Sequence, residues 1–91
     1  MRLDKFLKVS RLVKRRTVAK ELCDQGRVQI NGRPGKAGSE VNVGDVLTIA
    51  YGGRTMKVRV VDLREHVPKD ESSALFTVLE DRRAQSGSGP E

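Results

Sequence analysis

At 91 residues the chain has room for one domain with a small core, and not for a core plus a deep catalytic pocket and a lid. It has three aromatic residues, Phe6, Tyr51 and Phe76, and no Trp. That excludes readers that stack two or three bases on an aromatic sheet, and leaves recognition through phosphate, sugar and shape. Cys23 stands alone, so no intramolecular disulfide and no Cys-based metal site can form; its place on an apolar helix face marks it as a small core residue. The opening MRLDKFLKV is too short and too charged for a secretory leader, and no long apolar run follows, so a cytoplasmic protein without membrane association is expected.

Residues 2–12 read as a first helix. Leu3, Phe6, Leu7 and Ser10 fall within an arc of about 100° at helical spacing. Arg2 and Lys5 border this stripe on one side, and Lys8 and Arg11 on the other. Residues 13–16 read as a short connection dense in charge. A second helix is expected over residues 17–25. It carries Val18, Ala19, Leu22 and Cys23 on one side and Lys20, Glu21 and Asp24 opposite. Gly26 is a natural stop, since it reaches positive φ without a Cβ penalty.

Val28-Gln29-Ile30 alternates as a strand, and Asn31-Gly32 is a strong turn pair. Residues 33–40 read as loop, and Val41 and Val43 as a small apolar pair before a turn at Gly44-Asp45. Residues 46–51 are rich in strand formers, and Gly52-Gly53 signals a hairpin. Residues 55–63 alternate, with Met56, Val58 and Val60 on one face and Lys57 and Arg59 on the other. Residues 64–73 read as a polar loop, residues 74–79 as a last strand, and the terminal QSGSGPE as disordered. The order, two or three helices and then short strands, gives an α+β fold with a small, mostly antiparallel sheet. One domain is expected over residues 1–83, with a core motif over 1–50, a sheet extension over 51–83 and a disordered tail over 84–91.

Charge is unevenly spread along this layout. The first 36 residues hold 11 of the 18 Lys and Arg but three of the 12 Asp and Glu, a net of +8; the other 55 hold seven against nine, a net of −2. A positive field confined to one segment points to a polyanion, above all nucleic acid. Helix, turn and strand signals run through the segment, so it is not a disordered basic tail.

RLDKFL, then RRTVAKEL, then GRVQINGRPGKAGSEVNVGDVLTI resembles the RNA-binding domain first described in ribosomal small-subunit protein four. The resemblance covers about half the chain and implies that family's α+β fold, the alpha-L RNA-binding motif. In the family the RNA face is formed by the first two helices and the loop leading to the sheet. The opening 37 residues are similar to short stand-alone members that act in ribosome quality control, and more distantly to ribosome-associated heat-shock proteins. That implies specific partners: ribosomal RNA of the large subunit, its peptidyl-transfer RNA, and a protein that adds a C-terminal alanine tail to stalled chains. One departure stands out. Many members have Ser at the start of the second helix, where this chain has Arg15. An Arg cannot cap as Ser does, so Thr17 is the candidate cap one turn later.

Lys14, Arg15 and Arg16 read as a phosphate clamp at a helix entrance, because three cations beside a helix N-terminus repel unless an anion joins them. Arg2 and Arg16 match the family's own positions and are the leading candidates for contact, with Lys5, Arg11 and Lys20 on the helix flanks. Asn31-Gly32 sets a turn that aims Arg33 and Lys36. Asp4, in the first turn of its helix, reads as structural, paired with Lys8 at i, i+4.

No catalytic constellation, cofactor site or metal site is legible. His66 beside Glu65 lacks an oriented partner and a pocket, and Gly32-Arg33-Pro34-Gly35-Lys36 lacks the spacing of a nucleotide loop. The expected function is that of a non-catalytic, ribosome-associated RNA-binding factor, monomeric when free, that assists rescue of stalled translation. Removing the charges of Lys14, Arg15 and Arg16 together is expected to abolish subunit association without lowering stability. The alternatives are a ribosome-assembly or structural RNA-binding protein, and the RNA-binding module of a modifying enzyme acting in trans.

Overall fold

A computed structural model describes residues 1–83. The chain runs α1 (Leu3–Val9), α2 (Arg16–Asp24), β1 (Val28–Ile30), β2 (Arg33–Pro34), β3 (Val46–Tyr51), β4 (Arg54–Val60), a 3-10 helix (Lys69–Leu75) and β5 (Phe76–Arg83). The five strands form one sheet in the order β2-β1-β3-β4-β5, with antiparallel neighbours throughout. The α+β fold read from the sequence is the observed one. The tail over 84–91 lies outside the described residues.

The core lies between the two helices and one face of the sheet. Leu3, Phe6 and Leu7 of α1 and Ala19, Leu22 and Cys23 of α2 pack with Val28, Leu47, Ile49, Val58 and Val60. Leu47 pairs with Val58, and Ile49 with Met56, so the alternation in β3 and β4 lands on the helix side. Lys57 and Arg59 are exposed on the other side, as expected. Burial raises the Cys23 thiol to about 11, which leaves it protonated and inert at neutral pH.

At seven residues α1 is too short to persist in water alone, and tertiary contacts hold it. Arg2 precedes it with no side-chain cap. The loop over residues 35–41 supplies one instead: Leu3 N–H donates to the Ser39 carbonyl (2.8 Å) and Asp4 N–H to that of Ala37 (3.2 Å). Val41 N–H donates to Met1 (2.8 Å), and Val41 is fully buried. Gly35 is pressed against α1, where an added Cβ would lie 2.7 Å from Leu3 Cδ2.

The helix bounds differ from the sequence reading. α1 ends at Val9 because Arg11 turns left-handed, with φ 62°. The chain then folds back, and Val13 N–H donates to the Leu7 carbonyl (3.0 Å). Val13, read as part of a charged connection, is 1% exposed. α2 begins at Arg16, with extended Arg15 as its uncapped boundary, so Thr17 lies inside the first turn and caps nothing. Gly26 closes α2 at φ 73°, with its N–H on Cys23 (3.0 Å) and that of Arg27 on Leu22 (2.9 Å).

In the sheet half, Arg33 and Pro34 form a short strand rather than loop, paired with Ile30 and Gln29 across an Asn31-Gly32 turn in which both residues have positive φ. The Val41 and Val43 pair does not form: Val43 sits in a turn, 61% exposed. The polar loop ends in the 3-10 helix, anchored by fully buried Leu75. β5 runs on to Arg83, past the apolar residues, because backbone pairing with β4 needs no apolar side chain at an edge.

Candidate nucleic-acid interface

Asp4 organises the basic face. It is 4% exposed, and its carboxylate accepts hydrogen bonds from Arg2 Nε (3.2 Å), Arg16 Nε (3.3 Å) and the Lys5 backbone N–H (2.8 Å). Arg16 Nη2 adds a longer contact of 3.5 Å. One buried anion thus joins the residue before α1 to the first residue of α2. Burial by itself would raise the carboxyl, but the hydrogen bonds and charges of Arg16 and Arg2 outweigh it and hold Asp4 below the ordinary carboxylate value. The expected Asp4–Lys8 pair is absent, because the packing of α1 turns Asp4 towards α2 and leaves Lys8 exposed.

The two arginines are held without being consumed. Their side chains remain 57% and 48% exposed. Arg2 spends only Nε on Asp4, which frees its terminal nitrogens for an outside acceptor. An Arg fixed through one edge has lost its rotamer freedom before any phosphate arrives, which lowers the entropy cost of binding.

The other candidates fall into distinct groups. Lys14 and Arg15 are exposed at the entrance to α2, whose first turn holds no acidic residue. Lys20 is exposed further along α2. Arg33 and Lys36 are exposed on the hairpin and loop that lead to the α1 entrance, where a Cβ added at Gly38 would lie 3.9 Å from the Arg2 guanidinium. Lys5 is drawn elsewhere, its Nζ 2.6 Å from Glu65 of the distant loop. The hydrogen bond and charge of Lys5 pull the Glu65 carboxyl below its ordinary range. Arg11 and Lys8 line an open groove of about 430 Å³ with residues 65–68, His66 among them.

The partner of Asp4 differs from the sequence reading: Arg2 and Arg16 in place of Lys8. The signal was present: a lone carboxylate inside a block of cations. Arg16 also changes standing. It is both a candidate contact and the partner of a buried carboxylate, so the triple substitution that includes it is expected to lower stability as well as association.

Residues 1–47 match the S4 domain family. The chain is similar to the RQC P-site tRNA stabilizing factor of Bacillus subtilis (strain 168), at 51% identity over 83 residues that cover 91% of this chain and 96% of that one. It is also similar to the RQC P-site tRNA stabilizing factor of Halalkalibacterium halodurans, at 54% identity over 78 residues that cover 86% of this chain and 89% of that one. A trimeric structure of Vibrio cholerae heat shock protein 15 has the same fold, with a TM-score of 0.81 at 25% identity, covering 86% of this chain and 80% of that one. The matched segment contains Asp4, Arg2, Arg16 and every other cation of the helical face, so geometry and kinship meet in the same residues. The chain belongs to the S4 domain family, on the branch that holds the RQC P-site tRNA stabilizing factors.

Proposed function

We propose that this protein is a non-catalytic RNA-binding factor of ribosome quality control. It binds the large ribosomal subunit through ribosomal RNA and holds the peptidyl-transfer RNA in place while a partner protein adds a C-terminal alanine tail to the stalled chain. The observation that carries this reading is the pair of arginines prepositioned by buried Asp4 on a basic face, in a chain whose relatives are named for stabilising a P-site transfer RNA. Stabilisation fits the chemistry of the site. The ionisable groups buried among the described residues are Asp4, committed to two arginines, and Cys23, an inert thiol. Binding energy summed over several phosphates, rather than a reacting group, is what such a face supplies. The free protein is monomeric in this reading, and the bound protein is ribosome-associated in the cytoplasm.

The test is capture of the tagged full chain from cells, with sequencing of bound RNA and mass spectrometry of bound proteins. Large-subunit RNA recovered with transfer RNA and an alanine-tailing protein, without the small subunit, is the expected result. Recovery of whole ribosomes or precursor RNA moves the function to translation or assembly. A new nucleoside modification after incubation with purified RNA overturns the non-catalytic reading.

A further inference from the structure

The helix face of the sheet does not end where the helices end. Tyr51 pairs with Arg54, and Arg54 with Arg83, so the three stand in a row across β3, β4 and β5. Directly paired residues share a face. Tyr51 is in step with core residues Leu47 and Ile49, and therefore on the side that the helices cover further along. Here two neighbours border Tyr51: α2, whose Val18, Glu21 and Leu22 line a cavity with it, and on the other side the α1–α2 connection. Arg11, Lys14, Tyr51, Arg54 and Arg83 line one open groove of about 740 Å³.

Three features distinguish this groove. Arg54 and Arg83 are like charges placed directly opposite, an unfavourable cross-strand pair. Asp81 takes up Arg54, with contacts of 2.7 and 2.5 Å, and meets Arg83 only through the longer-range attraction of its charge, so Arg83 has no ion pair among the described residues. Arg11 holds a left-handed backbone at a cost of roughly 1 kcal/mol; the equivalent position after α2 is Gly26, which has no such cost. The same turn that brings Val13 into the core leaves the Arg11 side chain beside the groove. Tyr51 is 47% exposed, whereas Phe6 is fully buried and Phe76 partly so.

We infer that the tip of the β3–β4 hairpin is a second RNA subsite, which takes a single-stranded nucleotide run with one base stacked on Tyr51 and the flanking phosphates on Arg11, Lys14 and Arg83. The inference rests on the proposed RNA-binding function and extends it, since Lys14 belongs to both surfaces and makes them continuous. A half-exposed aromatic ring flanked by cations in an open groove is the pattern of a sequence-tolerant single-strand site. The Asp4 face, with arginines fixed at the helix entrances, presents phosphate contacts and no exposed ring.

The test measures binding of the full chain to a labelled ten-nucleotide RNA without secondary structure and to a blunt RNA duplex, by fluorescence anisotropy. Tyr51→Leu is expected to weaken single-strand binding about tenfold and to spare the duplex, and Tyr51→Phe to restore it. Arg83→Gln is expected to weaken single-strand binding about threefold and to lower its salt dependence by about one phosphate contact. Wild-type binding to both RNAs with no effect of Tyr51→Leu or Arg83→Gln overturns the subsite and leaves the proposed function standing. Equal weakening for both RNAs also overturns it. Variants that bind RNA normally but lose large-subunit association assign the patch to a protein partner and overturn the RNA reading. Failure of the wild type to bind any RNA overturns the subsite and the proposed function together.

Discussion

The helical third and the sheet half differ in how much of their positive charge is paired within the chain. In the sheet half, Arg54 meets Asp81, Arg64 meets Asp62 and Glu71, and Arg82 meets Glu80, while Lys57, Arg59 and Arg83 have no ion pair among the described residues. In the helical third, Lys8, Arg11, Lys14, Arg15, Lys20, Arg33 and Lys36 have no ion pair among the described residues; Arg2 and Arg16 share one carboxylate, and Lys5 reaches out of the segment for Glu65. A pairing made within the chain closes a charge off from outside partners. Cations left over keep their field, and a polyanion is what answers it. The one buried anion of the helical third, Asp4, does not neutralise that face so much as fix the aim of two of its arginines.

The largest expected effect breaks this contrast outright. Reversing Lys14 and Arg15 to Glu removes field without touching Asp4, and is expected to abolish large-subunit association in a sedimentation assay while the thermal midpoint stays unchanged. Wild-type association is expected to fall roughly a thousandfold or more between low and moderate salt, as for six or more phosphate contacts. Association that ignores salt would refute the electrostatic account.

Asp4→Asn sharpens the comparison from inside. It keeps the volume and removes the charge that the two arginines share, so a loss of about 2 kcal/mol is expected in urea unfolding at neutral pH, with weaker RNA binding beside it. An unchanged urea midpoint would show that the arginines hold their positions without Asp4. Acid gives a smaller version of the same result. The Asp4 carboxyl is lowered in the folded state, so its contribution is complete above the ordinary value of 3.8 and drains away as pH falls from there through the folded value. Wild type is therefore expected to lose more stability than Asp4→Asn on going from pH 6 into that acid window. Glu65 and Asp81 are also lowered, by Lys5 and Arg54, but they titrate in both proteins and cancel in the difference.

The smallest effect belongs to the sheet half. Arg64→Gln removes exposed ion pairs and is expected to change stability by no more than about 0.5 kcal/mol and RNA affinity not at all. A clear drop in RNA affinity there would extend the binding face beyond the helical third and its neighbouring hairpin tip.

What the residues alone determined is local or additive. The helical stripe Leu3, Phe6 and Leu7, the alternation of Met56, Val58 and Val60, and the turns at Asn31-Gly32 and Gly52-Gly53 follow from periods of 3.6 and 2 and from where positive φ is cheap. The concentration of charge in the first 36 residues is a sum, and no fold changes it. The tertiary structure decided where that charge points. Whether Asp4 faces Lys8, one turn on, or Arg16, twelve residues away, depends on how α1 lies against α2. The early end of α1 follows from Val13 being drawn into the core. The uncapped start of α1 is satisfied by a loop more than 30 residues downstream. The added length of β5 comes from backbone pairing with β4, to which charged side chains are no obstacle. Periodicity records which face of an element is apolar, but the partner of a buried charge is set by the packing of elements that the chain brings together only when it folds.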